Sequence, residues 1–452
     1  MNRRRFLRAN LALAAGLAAG LDVVSGTGGG ARAASTDGYR ALVCVYLSGG
    51  NDSFNMVVPR GAGEWGDYAA ARGALSVGRD SLLPLDPRTY SDGRAWGLHP
   101  AMPGAHRLFG EGRLAVVGNV GSLVRPVTAR EYVEASAELP AQLFSHNDQT
   151  DAWHAADARG DATDGWAGRA LERLYPGAGA RPWPAISVSG DSLWQRGRTG
   201  GAFEMGPAGP IRAILPYRAG APIRLSEAYA EAFSAGAGSS HLLVAEHARR
   251  QGRAIDWSAR VGDALAVAPG IGDALPGSPL GAQLRLVARL IAVRDRLGET
   301  VGRQAFFVRL GGWDTHAGQA GSHPALLAQL DAALAGFQAT LDGLGVAGNV
   351  TTFTATEFGR SLGPNGSGTD HGWGGHQLVL GGAVAGGDVH GRMPELSPDT
   401  PEAVENGRIV PSSSVEQYGA TLSRWFGLDG ADLAAAFPNL GNFASPDLGF
   451  MG

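Results

Sequence analysis

The chain of 452 residues contains no lysine, so its 38 basic residues are all arginine. That absence excludes Schiff-base chemistry, a phosphate-loop lysine and a serine–lysine dyad. Cysteine is almost as scarce: Cys44 stands alone, which rules out an internal disulfide, and its place in the apolar run 41–47 marks it as a buried strand residue. There is no basic tail or patch, and the formal net charge is −4; nucleic acid is not expected as a partner. No uncharged apolar run approaches the roughly 20 residues that span a bilayer as a helix, so no stable membrane span is expected. A repeat period of the kind that builds solenoids or propellers is also missing.

What is present begins with Asn2-Arg3-Arg4-Arg5-Phe6-Leu7-Arg8, followed by an apolar stretch from Ala9 to Leu21 and then by Ala31-Arg32-Ala33. A charged run, an apolar run and a small-x-small box, in that order, make a signal peptide, and the paired arginines mark the twin-arginine route. Residues 1–33 are therefore expected to be removed, with the twin-arginine translocase as the partner during export and a periplasmic or secreted product. Removal takes away five arginines and one aspartate, leaving 33 basic against 41 acidic residues and a net charge of −8. An exported chain without disulfides fits folding before export.

The remainder, 34–452, can bury a large core as one elaborated domain. Apolar runs at 41–47, 114–117, 305–310, 350–354 and 377–380 end abruptly in Gly/Asn/Asp or polar clusters and read as buried strands. Helical periodicity falls between them at 100–109, 129–136, 165–174, 281–297, 324–344 and 415–425. The alternation predicts an α/β fold, a doubly wound, mainly parallel sheet flanked by helices, whose ligands bind outside the carboxyl ends of the strands. The Gly/Pro/Ala-rich stretch at about 181–277 reads as a cap-like insertion with few reacting groups.

Four polar clusters carry the chemistry: Gly49-Gly50-Asn51-Asp52-Ser53, Phe144-Ser145-His146-Asn147-Asp148, Gly312-Trp313-Asp314-Thr315-His316, and Thr356-Glu357-Phe358-Gly359-Arg360 with Gly368-Thr369-Asp370-His371-Gly372. Asp314/His316 and Asp370/His371 supply two carboxylate–imidazole pairs of the kind that bind divalent metals, and Asp52 extends the set toward a two-metal site. Arg360, always charged and planar, suits a substrate oxyanion. Ser145, at the expected start of a helix, is the candidate nucleophile and His146 beside it a further catalytic candidate, with a plain capping role for the serine and direct attack by water as alternatives. Ser53 is a weaker candidate in a tight turn. His99, His106, His241, His247 and His323 read as structural, while His154 stays open.

At these clusters, and at Leu47-Ser48-Gly49-Gly50-Asn51-Asp52, Gly97-Leu98-His99-Pro100 and Gly381-Gly382-Ala383-Val384, the sequence resembles the exported bacterial family called domain of unknown function 1501, within the alkaline-phosphatase-like superfamily. The resemblance covers nearly all of 34–452. It implies an alkaline-phosphatase/sulfatase-like fold, a metal-ligating Asp after the first strand at Asp52, a nucleophile at a helix start at Ser145, and an Asp plus His after a middle strand at Asp314 and His316. Two placements of the later ligands remain: Asp370 and His371 as the Asp-His pair, or Glu357 in the pair's place with His371 as the final His. His376 and His390 are spare candidates. The sulfatase Cys/Ser-x-Pro-x-Arg signature is missing.

The expected function is an exported metal-dependent hydrolase acting on a small-molecule or polysaccharide phosphate or sulfate ester. One or two divalent ions (Zn, Mn, Ca or Mg) would be held by Asp52, Asp314, His316, Glu357, Asp370 and His371. The rival reading is a non-catalytic envelope protein that uses the same fold to bind a polysaccharide or a protein partner.

Overall fold

The structure is a computed structural model that describes residues 38–176, 184–210, 223–271, 274–297 and 302–452. The expected export signal, 1–33, lies outside the described residues, as do 181–183, 211–222 and 272–273 of the expected insertion. Among the described residues the main sheet has nine strands: β1 Arg40–Ser48, β2 Leu114–Gly121, β3 Ala185–Ser187, β4 Phe203–Glu204, β5 Arg303–Gly311, β6 Val350–Ala355, β7 Gly375–Gly381, β8 Asp388–Gly391 and β9 Ser413–Ser414. They lie in the order β8-β2-β7-β6-β1-β5-β3-β4, with β9 beside β2. β1 pairs in parallel with both β5 and β6. Only β7 runs against its neighbours, pairing antiparallel with β2 and β6, so the sheet is mixed and mostly parallel.

The helices include α1 Pro103–Gly110, α2 His146–Ala155, α3 Trp166–Leu174, α4 Ile223–Ala237, α5 Leu242–Ala266, α6 Pro279–Ala292, α7 Gln319–Gly343 and α8 Val415–Phe426, beside Ala62–Arg72 and shorter ones. Why they cover both faces is visible in β1, where every residue from Ala41 to Leu47 is buried. Side chains alternate across a strand: Ala41, Val43, Val45 and Leu47 join the core made with Leu284, Leu290, Leu330 and Phe337 of α6 and α7. Leu42, Cys44 and Tyr46 join the opposite core, with Trp166 of α3 and Tyr418 and Leu422 of α8. A strand covered on both faces must be apolar throughout, which is how it reads in sequence.

Two elements depart from the sequence expectation. The stretch expected as a cap also contributes β3, paired with β5 near the sheet edge, and β4 beyond it; the run Ala185–Ser187 is fully buried but too short to announce itself among glycines and prolines. The helix expected from residue 324 starts five residues earlier, at Gln319, after Gly318 in a left-handed conformation, and carries Pro324 inside. Proline is favoured at the first helical position, and here that preference misleads. The earlier start places Gln319, 1 % exposed, directly beneath the polar loops. No described helix is long and apolar enough to cross a membrane.

Candidate functional site

The loops that follow β1, β5 and β6 meet at one edge of the sheet, and the reversed β7 brings the residues just before it to the same edge. Their approach is close. Gly49 has φ +126°, and a Cβ there would sit 2.3 Å from the backbone nitrogen of Asp314, so only glycine allows the β1 and β5 loops to touch.

Asp314 is the centre of the cluster. Its carboxylate, 43 % exposed, has His146 Nε2 at 3.3 Å, His316 Nε2 at 3.1 Å and His371 Nε2 at 3.3 Å. Arg360 Nη1 donates to its Oδ1 at 2.8 Å. His316 and His371 also bring their Nε2 atoms within 2.9 Å of each other. One ligand atom each from His146, Asp314 and His371 lie within 4.8 Å of one another, a spacing a single ion can bridge.

Each imidazole is held from behind. His371 Nδ1 lies 2.7 Å from the carbonyl of Phe144, and since a carbonyl only accepts, that nitrogen carries the proton and Nε2 presents its lone pair to the cluster. His146 Nδ1 lies 2.9 Å from Oε1 of Glu357, which also accepts from the Gly49 amide at 2.8 Å. His316 Nδ1 is 3.4 Å from Asp370 Oδ1. A carboxylate behind a histidine is the arrangement that orients imidazole ligands of metals. Phe358 packs against both inner rings, stacked on His371 at 4.6 Å between centroids and 5.0 Å from His146.

The electrostatics follow this geometry. Hydrogen bonding to Glu357, assisted by its charge and that of Asp314, raises the His146 pKa although burial opposes it. Burial lowers that of His371. For Asp314, burial alone would raise the pKa, but the hydrogen bond and charge of Arg360 hold it below the usual carboxylate value.

Of the residues singled out in the sequence, the structure thus gathers Asp314, His316, His371 and His146 inward, with Glu357 and Asp370 behind them. The rest lie elsewhere. Asp52 is fully buried in an ion pair with Arg72. The Arg360 guanidinium has no exposed surface; besides Asp314 it serves the Thr369 hydroxyl and carbonyl and the Gly49 carbonyl, so it orients Asp314 rather than facing a substrate. Ser145 caps α2 in position only, its Oγ donating to Asp148 Oδ2 at 2.7 Å. Ser53 Oγ accepts from the His376 amide; His376 and His154 are buried rings, against Phe54 and against Tyr46 and Phe307 respectively. His390 Nε2 binds the Ala385 carbonyl. The sequence reading missed the Phe144 carbonyl, which carries no side-chain signal and is aimed by a left-handed φ of +70°. It also missed Gln319 and Thr369, which residue type alone does not distinguish from ordinary helix and turn residues.

No curated protein matches this chain. Residues 265–437, the stretch that carries Asp314, His316, Glu357, Arg360, Asp370 and His371, match the model of the family described as "Protein of unknown function (DUF1501)", and that match supports this family for the chain.

Proposed function

We propose that the chain is an exported metal-dependent hydrolase of phosphate or sulfate esters, on an alkaline-phosphatase-like scaffold, with one ion held by His146, Asp314, His316 and His371. The observation that carries the reading is the set of three Nε2 atoms aimed at one carboxylate. With Nδ1 of His146 and of His371 committed as donors, a cation among the Nε2 atoms and the Asp314 oxygens would take the place that a proton on Nε2 of His146 otherwise fills. Three imidazoles and one carboxylate are donors for zinc or another transition ion rather than for calcium or magnesium, which prefer oxygen alone.

A divalent ion in this position supplies Lewis acidity and lowers the pKa of water. The protein's own residues do the arranging. Glu357 keeps the proton on His146 Nδ1, the Phe144 carbonyl keeps it on His371 Nδ1, and Arg360 fixes the carboxylate of Asp314. Phe358 packs against the rings of His146 and His371. An anionic ester is favoured by the amino end of α2, whose His146 stands at the cluster. Water is taken as the attacking group, the Ser145 hydroxyl donating to Asp148 at the start of α2. The N-terminal arginine pair and Ala31-Arg32-Ala33 support export by the twin-arginine route, which would deliver the folded, loaded site.

The test is elemental analysis of the purified protein, followed by turnover of an aryl phosphate, an aryl phosphodiester and an aryl sulfate by wild type and Asp314→Ala. Metal-dependent turnover lost in the variant is the expected result. A protein folded with zinc and manganese available that retains neither overturns the proposal; retained metal without turnover of any ester leaves the binding role in its place.

A further inference from the structure

Asp52 occupies the place in the chain where a metal ligand was expected, yet its carboxylate is spent inside the protein. Oδ1 pairs with Nη2 of Arg72, and Oδ2 accepts from Nε2 of Gln319. All three side chains are buried. From Gln319 the connections run outward. Its Oε1 accepts from Thr369 Oγ1 at 2.7 Å and from Thr315 Oγ1 at 3.1 Å. Thr369 Oγ1 accepts from Arg360 Nε at 3.2 Å, and Arg360 Nη1 reaches Asp314 at 2.8 Å.

The direction of every bond in this chain is determined by its ends. Arginine can only donate and a carboxylate only accept. Gln319 must therefore turn its NH₂ to Asp52 and its oxygen to Thr369, and Thr369 must aim its proton at Gln319, leaving a lone pair for Arg360. Bonds aligned head to tail in a buried setting polarise one another. A second connection converges on the same residue: Arg72 Nη1 donates to the carbonyls of Ser361 at 3.0 Å and Leu362 at 3.3 Å, the two residues that follow Arg360. The side chain of Arg360 and the backbone of the two residues after it are thus both tied to Asp52.

We infer that Asp52, Arg72, Gln319 and Thr369 are positioning residues, which hold Arg360 and through it the carboxylate of Asp314 in the orientation the cluster requires. Asp52 anchors this network and does not ligate the ion; to do so it would abandon Arg72, a charge with no exposed surface. The inference rests on the proposed metal centre for its consequence but on the hydrogen-bond chain for its existence.

Thr369→Val and Gln319→Leu break the chain at neutral side chains, with Thr369→Ser as the conservative partner. Calorimetric titration with zinc ion alone, kcat and KM separately, thermal melting and a crystal structure of each variant are the readouts. We expect zinc affinity and kcat to fall about 10- to 100-fold in Thr369→Val and Gln319→Leu, with KM and the melting temperature little changed, Arg360 displaced from Asp314, and Thr369→Ser close to wild type. Zinc affinity and kcat within threefold of wild type, with Arg360 unmoved, overturn the inference while Asp314→Ala still abolishes binding and so preserves the proposed function. Should the wild type bind no zinc, the proposed function falls, and the crystal structure of Thr369→Val decides the inference: a displaced Arg360 upholds it and an unmoved one overturns it.

Discussion

Acidification from pH 7 to pH 5 should destabilise this protein chiefly through its histidines. Four buried histidines carry the effect: His99 and His323, with pKa lowered to about 4, and His154 and His376, lowered to about 3, in each case chiefly by burial. An unfolded chain protonates them near 6.5, so below that pH the unfolded state binds protons that the folded state refuses, and stability falls until the folded pKa values are reached. Each such histidine costs about 2 kcal/mol between pH 7 and pH 5, and the four together about 7 kcal/mol. Glu416 acts in the opposite sense. Burial raises its pKa to about 7, so it takes up a proton in the folded state first and returns about 2 kcal/mol over the same interval. His146, raised, and His371, lowered, oppose one another. The net loss is about 5 kcal/mol, comparable with the whole stability of many domains. Urea unfolding followed by tryptophan fluorescence, with a chelator present at both pH values to remove metal linkage, measures it. The His154→Leu variant should lose about 2 kcal/mol less than wild type over the same interval. A wild-type loss under about 2 kcal/mol would refute the claim that these imidazoles are held neutral by burial.

Four further outcomes are expected. Glu357→Gln removes the charge behind His146 and should weaken zinc binding about 10- to 100-fold by competition titration, while an unchanged affinity would deny Glu357 an orienting role. Gly49→Ala should cost more than about 2 kcal/mol in urea unfolding, because a positive φ and a contact with the Asp314 backbone act together. By contrast, Gly63→Ala, in helix Ala62–Arg72 with open space around it, should be neutral or stabilising by up to about 1 kcal/mol. Ser145→Ala should leave ester turnover within threefold of wild type, and abolished turnover with a retained fold would return the serine to the role of nucleophile.

The strands were legible where physical chemistry leaves a strong local trace. A run such as 41–47, covered on both faces, has no polar position to hide it, and polar loops after such runs announce the edge of the sheet where a site forms. The short edge strand β3 was not legible, because three residues among glycines and prolines carry too little periodicity to stand out. Nor was the reversal of β7, since its residues are as apolar as those of its parallel neighbours. The direction of that strand nevertheless decides the site: it is what delivers His371 to Asp314.

Residue type and order thus established the α/β alternation and the loops that hold the carboxylates and imidazoles. Only the tertiary structure sorted those side chains by role. Asp52 and Asp314 are the same residue in similar glycine-rich loops after parallel strands, yet one is closed off by Arg72 and Gln319 while the other stands 43 % exposed among three imidazoles. A local sequence sets what a side chain can donate or accept. Which partner reaches it first depends on residues 20, 46 or 267 positions away, and that is settled only when the strands pack side by side.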